Sequence, residues 1–290
     1  MMANFQDITQ DDVVRQRIKA ALQEDIGSGD ATTLALVPAD LVEEAEILAR
    51  EACVVSGSDV AAFVFTTLAP GMTIETLVPE GGRAAAGETV MRLKGPARAI
   101  LTGERTALNF MQRMCGIATH TAAFVEKVKA QGTLILDTRK TTPGLRTFEK
   151  HAVLCGGGTN HRIGLYDKVL IKDNHRWLWQ GTGGDDLGAA VREARRRYPQ
   201  LEIEIEVENQ AELASALEGQ PDWVLLDNMD PAAMAACVAM VDGRCRTEAS
   251  GGITLANIEA AARSGVDAVS LGCLTHTVRS IDLSLEMLRT

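Results

Sequence analysis

Residues 203–207 read Ile-Glu-Ile-Glu-Val, 224–227 Val-Leu-Leu-Asp, 247–250 Thr-Glu-Ala-Ser and 268–271 Ala-Val-Ser-Leu, with Gly272 next. Short apolar or alternating runs that each close on a polar residue or a glycine read as strands. The closing positions Glu206, Asp227, Ser250 and Gly272 lie 21, 23 and 22 residues apart, room for one helix and two loops each time. Pro231 at a first helical position and Thr254 as a cap mark helices in these intervals. Units of one size that alternate strand and helix predict an α/β fold with parallel strands and right-handed crossovers. All four closing residues then sit at strand carboxyl ends. A (β/α) barrel gathers catalytic residues on that face, and an open doubly wound sheet binds ligands along the same edge.

Working outward, Leu134-Ile-Leu-Asp137 and Lys168-Val-Leu-Ile171 extend the series upstream. Before Gly132 the pattern is mixed. Asp11 or Asp12 caps a helix whose Val14, Ile18, Ala21 and Leu22 follow a 3.6 period, and Gly27-Ser-Gly29 stops it. Ala45 to Val55, Met72 to Val78 and Thr89 to Leu93 predict strands, and Ser58 to Leu68 a helix. Ala97 to Lys129 predicts a long helix broken at Gly116. A chain of 290 residues fits two domains.

Hydrophobic residues make up 46% and charged residues 23% of the chain, with a net charge of −10. That apolar content excludes disorder as the main state, and the acidic balance argues against a nucleic-acid partner or a membrane partner. The N-terminal MMANFQDITQDD lacks the basic and apolar stretches of a secretory signal. Runs such as Val60 to Phe65 fall far short of the ~20 residues of a membrane helix. Six cysteines form no C-x-x-C pair and read as small buried hydrophobes of a reducing compartment, so the expected location is cytoplasmic.

The charge is unevenly spread. From Arg139 to Arg176 eight Lys and Arg face three acids, a local +5 that leaves −15 for the remainder, and three of the five histidines lie there. Its interleaved Thr-Pro-Gly and Gly-Gly-Gly make it neither a helix face nor a tail. Such an island suits the focusing of a small polyanion into a cleft. Leu136-Asp-Thr-Arg-Lys leaves a strand directly into cations; Arg139 suits a planar carboxylate and Lys140 a phosphate. His161 and Arg162 after Gly156-Gly-Gly158, and Lys172 in Ile171-Lys-Asp-Asn-His175, add anion donors. Ser250-Gly-Gly-Ile before Thr254 suits a phosphate held by backbone N–H groups at a helix N-terminus, with Gly272 one repeat later to help. Glu206 and Asp227 read either as exposed strand ends or as acids holding Mg²⁺ jointly with substrate phosphates. A core position is disfavoured, because an unpaired buried carboxylate is costly. Zinc spacing, a G-x-S-x-G elbow and a dinucleotide G-x-G-x-x-G are all missing.

Glu104-Arg-Thr-Ala-Leu-Asn109, Asp137-Thr-Arg-Lys-Thr-Thr-Pro-Gly-Leu-Arg146, Gly156-Gly-Gly-Thr-Asn-His-Arg162, Leu170-Ile-Lys-Asp-Asn-His175, Leu225-Leu-Asp-Asn228 and Ser250-Gly-Gly-Ile253 occur in that order. Together they resemble the quinolinate phosphoribosyltransferase family, over nearly the whole chain from Glu24 to His276. The resemblance implies an N-terminal α/β sandwich and an incomplete (β/α) barrel with parallel strands. The expected borders are 1–115 for the sandwich, 116–275 for the barrel, and 276–290 for a C-terminal helix packing back on the N-terminal domain. The implied reaction takes quinolinate and phosphoribosyl pyrophosphate to nicotinate mononucleotide, CO₂ and pyrophosphate, with Mg²⁺, in de novo NAD synthesis.

The same resemblance implies roles residue by residue. Arg139, His161, Arg162 and Lys172 match quinolinate-binding positions, Lys140 matches a pyrophosphate contact, and Thr138 is a further expected substrate-binding residue. Glu206 and Asp227 match acids near the ribose hydroxyls and metal. Lys140, Lys172, Glu206 and Asp227 are the expected catalytic set. Ser250, Gly251, Gly252, Gly272 and His276 match the phosphate end. Arg105 matches an arginine lent across the interface of a homodimer or higher homo-oligomer. Two departures stand out: His151 where the family often has Tyr, and Arg176 where an apolar residue is usual. The expectation is that they affect a subunit contact or local packing without touching the anion ligands. A related phosphoribosyltransferase for another acid, or a non-catalytic phosphometabolite-binding homologue, are the alternative readings. The intact set of Lys140, Lys172, Glu206 and Asp227 speaks against the second.

Overall fold

The computed structural model describes residues 6–181, 184 and 186–288; the first five residues of the N-terminal reading and the last two of 276–290 lie outside them. The chain forms two compact units, one of Met1–Ala122, Thr141–Gly157 and Cys273–Thr290, the other of Ala123–Lys140 and Gly158–Gly272. The compact units depart from the expected continuous run 116–275: residues 116–122, 141–157 and 273–275 pack with the first unit. A covalent sequence does not oblige neighbouring segments to share one core, and here 141–157 buries its apolar face with the N-terminal segments.

In the first unit, α1 (Asp12–Ile26) begins where the Asp11 carboxylate accepts from Val13 N at 2.7 Å. Its Val14, Ile18 and Leu22 are buried one turn apart, and Gly27 at φ +52° ends it. Then follow α2 (Ala31–Leu36), β1 (Val42–Ala49), β2 (Cys53–Val54), α3 (Ser58–Leu68), β3 (Thr73–Thr76), β4 (Arg83–Ala84), β5 (Thr89–Pro96) and α4 (Ala97–Val128). The expected strand 45–55 is in fact two, interrupted after Ala49. The expected break at Gly116 is absent: α4 continues through it. A Cβ at Gly116 would stand 2.3 Å from the Arg279 carbonyl oxygen, so this glycine serves close approach and not termination. α5 (Arg146–Cys155) also belongs to this unit.

The C-terminal helix expected within 276–290 is also corrected. Leu283–Met287 is a strand, antiparallel to β1 with Ile47 opposite Leu285 and Ala45 opposite Met287. Ile281, Leu283, Leu285 and Met287 alternate with polar residues, a period of two that suits a sheet edge. The resulting four-stranded antiparallel sheet runs from this strand through β1 and β5 to β3.

The second unit holds β6 (Leu134–Leu136), β7 (Val169–Ile171), α6 (Asp173–Gly181), α7 (Leu187–Arg197), β8 (Ile203–Val207), α8 (Gln210–Leu217), β9 (Trp223–Asp227), α9 (Pro231–Val241), β10 (Arg246–Ser250), α10 (Ile258–Arg263) and β11 (Ala268–Ser270). The strands lie in the order β6-β11-β10-β9-β8-β7, and every pairing is parallel. That order is a circle read in sequence and left open between β6 and β7, the wiring of an incomplete barrel and not of a doubly wound sheet. All five residues of β8 are buried. Its Ile/Glu alternation therefore does not separate core from solvent, because a parallel sheet is covered on both faces. No helix of the described residues is long and apolar enough to cross a membrane.

Candidate active site

The motif residues of the second unit gather at strand carboxyl ends. Thr138, Arg139 and Lys140 follow β6, and Lys172 follows β7. His161 and Arg162 follow Thr159, which bridges in parallel to Leu136. Thr138, Arg139, Lys140, His161, Arg162, Lys172 and Ser250 line a single cleft of about 310 Å³, walled also by Leu170, Leu225, Glu248 and Ser270. The residues at 139, 140, 162 and 172 give it four fixed cations. Burial lowers the pKa of Arg162, and the neighbouring charge of Arg139 lowers it further. An anion between the two guanidiniums relieves that repulsion and supplies planar acceptors.

His161 is held from below. Its Nε2 lies 2.9 Å from Glu204 Oε2 and 3.4 Å from Glu248 Oε2, and its main-chain N–H donates to Asp137 Oδ1 at 2.8 Å. Burial disfavours the charged ring, but the two carboxylates outweigh it and raise the pKa to about 9. The Arg162 N–H, 2.7 Å from Nδ1, works the other way by favouring a ring protonated on Nε2 alone. Lys168 Nζ lies 3.0 Å from Glu204 Oε2 and 4.6 Å from the Trp223 ring centre, so two carboxylates in the barrel interior meet two nitrogen bases.

Sequence reading missed Glu204, Glu248 and Lys168 as parts of the site. The signal was present: Glu204 precedes Glu206, and Glu248 precedes Ser250, by one strand period. Glu206 is 7% exposed, which corrects the expectation against a core position. The cost of burial is met by Lys172, whose Nζ is 3.5 Å from Glu206 Oε2. Burial still raises the Glu206 pKa, Lys172 lowers it, and the charge of Asp227 raises it again.

Asp227 ends β9, half-exposed, accepting from Asn228 Nδ2 at 2.6 Å. Opposite it, in register, Ser250 ends β10. Gly251 and Gly252 have φ of +92° and +62°. A Cβ at Gly251 would be 2.1 Å from Asn228 Oδ1, so only glycine fits between these two loops. The expected helix N-terminus at this pair is corrected. Thr254 opens a turn, with its N–H on Asn257 Oδ1 at 2.7 Å, and α10 starts only at Ile258. Gly272 lies two residues beyond β11.

Arg105 and His276 belong to the first unit. Arg105 lies on α4, 58% of its side chain exposed, with Glu104 at 4.0 Å. His276 ends a short helix, its Nδ1 2.5 Å from Thr277 Oγ1. Both departures from the family pattern have definite partners. Arg176 donates to the Glu206 carbonyl oxygen at 2.9 Å and pairs with Glu212 at 2.7 Å, so it does reach the backbone of a site residue. His151 is buried on α5 against Glu80 and Cys155.

Two family models match the chain. The N-terminal domain of quinolinate phosphoribosyl transferase matches residues 30–115, and its C-terminal domain matches 117–286. The carboxylating nicotinate-nucleotide pyrophosphorylase of Mycobacterium leprae is 40% identical over 282 residues, covering 95% of this chain and 98% of the relative. The probable enzyme of that name from Bacillus subtilis is 39% identical over 264 residues, 91% of this chain and 90% of its own. The solved nicotinate-nucleotide pyrophosphorylase of Francisella tularensis superposes with a TM-score of 0.89 at 38% identity, over 96% of both chains.

Proposed function

This chain belongs to the quinolinate phosphoribosyltransferase family, and from that premise we propose that it transfers the ribose 5-phosphate of phosphoribosyl pyrophosphate to quinolinate. The products are nicotinate mononucleotide, CO₂ and pyrophosphate, in the service of NAD synthesis. The observation that carries the reading is the cleft at the open end of the parallel strands, where Arg139, Lys140, Arg162 and Lys172 converge over two apolar walls, Leu170 and Leu225. A flat ring bearing two carboxylates fits such walls and such cations.

Arg139 and Arg162 fix the carboxylates, with the charge of His161 beside them, and so aim the ring nitrogen at the ribose. Orientation of this kind removes much of the entropic barrier. As the nitrogen attacks the anomeric carbon, positive charge builds on the ribose, and in this reading Glu206 and Asp227 hold its hydroxyls. Lys140 offsets charge on the departing pyrophosphate. The quaternised ring nitrogen then stabilises the carbanion left on the adjacent ring carbon as its carboxylate leaves as CO₂, and that carbon takes a proton from solvent.

Mg²⁺ belongs to the proposal. Glu206 and Asp227 lie on adjacent parallel strands, and Asp227 works against the ionisation of Glu206. Such a pair of hard oxygen donors suits a hard cation shared with substrate phosphates. When bound, the ion would neutralise phosphate charge. A homodimer or higher homo-oligomer in which exposed Arg105 serves a neighbouring site, and a cytoplasmic location, complete the reading.

The test is an assay with phosphoribosyl pyrophosphate, with and without Mg²⁺, on quinolinate or nicotinate, following mononucleotide and CO₂ together. Equal release of both products from quinolinate, dependent on Mg²⁺, is expected. Product from nicotinate alone would overturn the assignment of the cations to two carboxylates.

A further inference from the structure

The first unit contains a cluster of metal-ligating side chains, none of them among the residues assigned to catalysis. Glu80 lies in the turn between β3 and β4, and His151 and Cys155 lie one helical turn apart on α5. His151 Nε2 is 3.2 Å from Glu80 Oε2, Cys155 Sγ is 3.3 Å from the same oxygen, and Cys155 Sγ is 3.4 Å from His151 Nε2. We propose that Glu80, His151 and Cys155 form a binding site for a borderline-soft divalent transition ion, zinc above all.

The triangle has the right size. Zinc bonds of about 2.0–2.3 Å to oxygen, nitrogen and sulfur set tetrahedral edges of roughly 3.3–3.6 Å. The three ligand atoms therefore need to part by only a few tenths of an ångström to admit an ion. Thiolate with imidazole and one carboxylate excludes magnesium and calcium as preferred occupants and favours zinc or its late first-row neighbours.

Glu80 is oriented from behind. Its Oε1 accepts from Gly57 N at 2.9 Å and Ser58 N at 2.6 Å, at the start of α3, and its Oε2, 3.0 Å from Gly57 N, also faces the other two ligands. Outer contacts of this type fix a ligand before the metal arrives. Ser56 is fully buried, and its hydroxyl lies beside the Cys155 thiol. That hydroxyl, or a water, is available for a fourth position.

The charges also close. Burial and the adjacent Glu80 carboxylate push the Cys155 thiol up, so in the metal-free site the sulfur keeps its proton. A divalent ion displaces that proton to solvent, and the thiolate, carboxylate, neutral imidazole and ion then sum to zero in a buried place. Glu80 keeps 9% of its side chain exposed, an edge through which an ion enters.

Cobalt(II) titration of the chelator-treated full-length protein tests this. One equivalent should bind, with a thiolate-to-cobalt charge-transfer band in the near ultraviolet and tetrahedral d–d absorption, both displaced by zinc. Cobalt on Glu206 and Asp227 has no sulfur and gives no such charge-transfer band. Cys155→Ala and His151→Gln should each lose the spectrum, while Cys245→Ala, outside the cluster, keeps it. Absence of the band in the unmodified protein, or its survival in Cys155→Ala, overturns the site. Circular dichroism establishes that each variant is folded, and the unmodified protein alone suffices to refute. None of these readouts depends on the proposed transferase activity.

Discussion

Raising the pH from 6 to 10 should strip away a stabilisation that resides in one ring, His161. The folded-state pKa of about 9 lies above the ordinary value of about 6.5. The contribution is thus fully present below about pH 6.5 and is lost as pH rises through 9. The gap corresponds to about 3 kcal/mol, at about 1.4 kcal/mol for each tenfold change in acidity constant. That is an upper bound, since the Arg162 N–H at 2.7 Å from Nδ1 resists the second ring proton. Urea unfolding of the native protein and of His161→Gln should be followed at several pH values. The stability difference between them should fall by 1–3 kcal/mol, roughly, between pH 6.5 and 9. Histidine NMR gives the ring's own titration, which Glu248→Gln should move toward neutrality. A ring that titrates at or below pH 6.5, with a pH-independent stability difference, would refute the argument. His161 would then be a neutral donor from Nε2, and the cleft would carry one cation fewer at neutral pH.

Three further outcomes follow from the geometry. Arg162→Ala or Arg139→Ala should lower kcat/KM for quinolinate by roughly tenfold or more, since a charge-assisted hydrogen bond is worth about 1.5–3 kcal/mol; unchanged steady-state kinetics in both would remove them from the carboxylate sites. For the shared-site reading, chains carrying Arg105→Ala mixed with chains carrying Lys172→Ala should regain part of the activity that each lacks alone, and inactive verified hetero-oligomers would count against it. Gly116→Ala places a methyl 2.3 Å from the Arg279 carbonyl oxygen, so thermal unfolding should show a loss of about 1–3 kcal/mol, typical of an overpacked site.

Much of the site was legible because the strand period and the βα repeat put its residues in fixed places. Glu206, Asp227 and Ser250 were read at strand ends from spacing alone, and β8, β9 and β10 end within a residue of them. The cations of 139–172 were legible as a charge excess, and seven of the sequence-assigned residues line one cleft. Glu204 and Glu248 were not, because a buried glutamate differs from an exposed one only in its partner. Those partners, His161 and Lys168, lie 43 and 36 residues away from Glu204. The terminal strand was missed although Leu283, Leu285 and Met287 alternate. Five residues suit an edge strand or a helical turn equally until a neighbour such as β1 offers its free hydrogen bonds.

Local periodicity and motif order thus encode the parallel βα series, the helix of Ser58–Leu68, the basic island and the family to which the blocks point. Tertiary structure alone decided which segments share a core, which carboxylates are buried in pairs, and that Gly116 admits a carbonyl and does not break a helix. It alone brought Glu80 to His151 and Cys155 across about seventy residues of chain. The physical reason is the range of the forces. Propensity, capping and period act within a few residues, whereas burial, charge pairing and steric fit depend on neighbours that only the folded chain supplies.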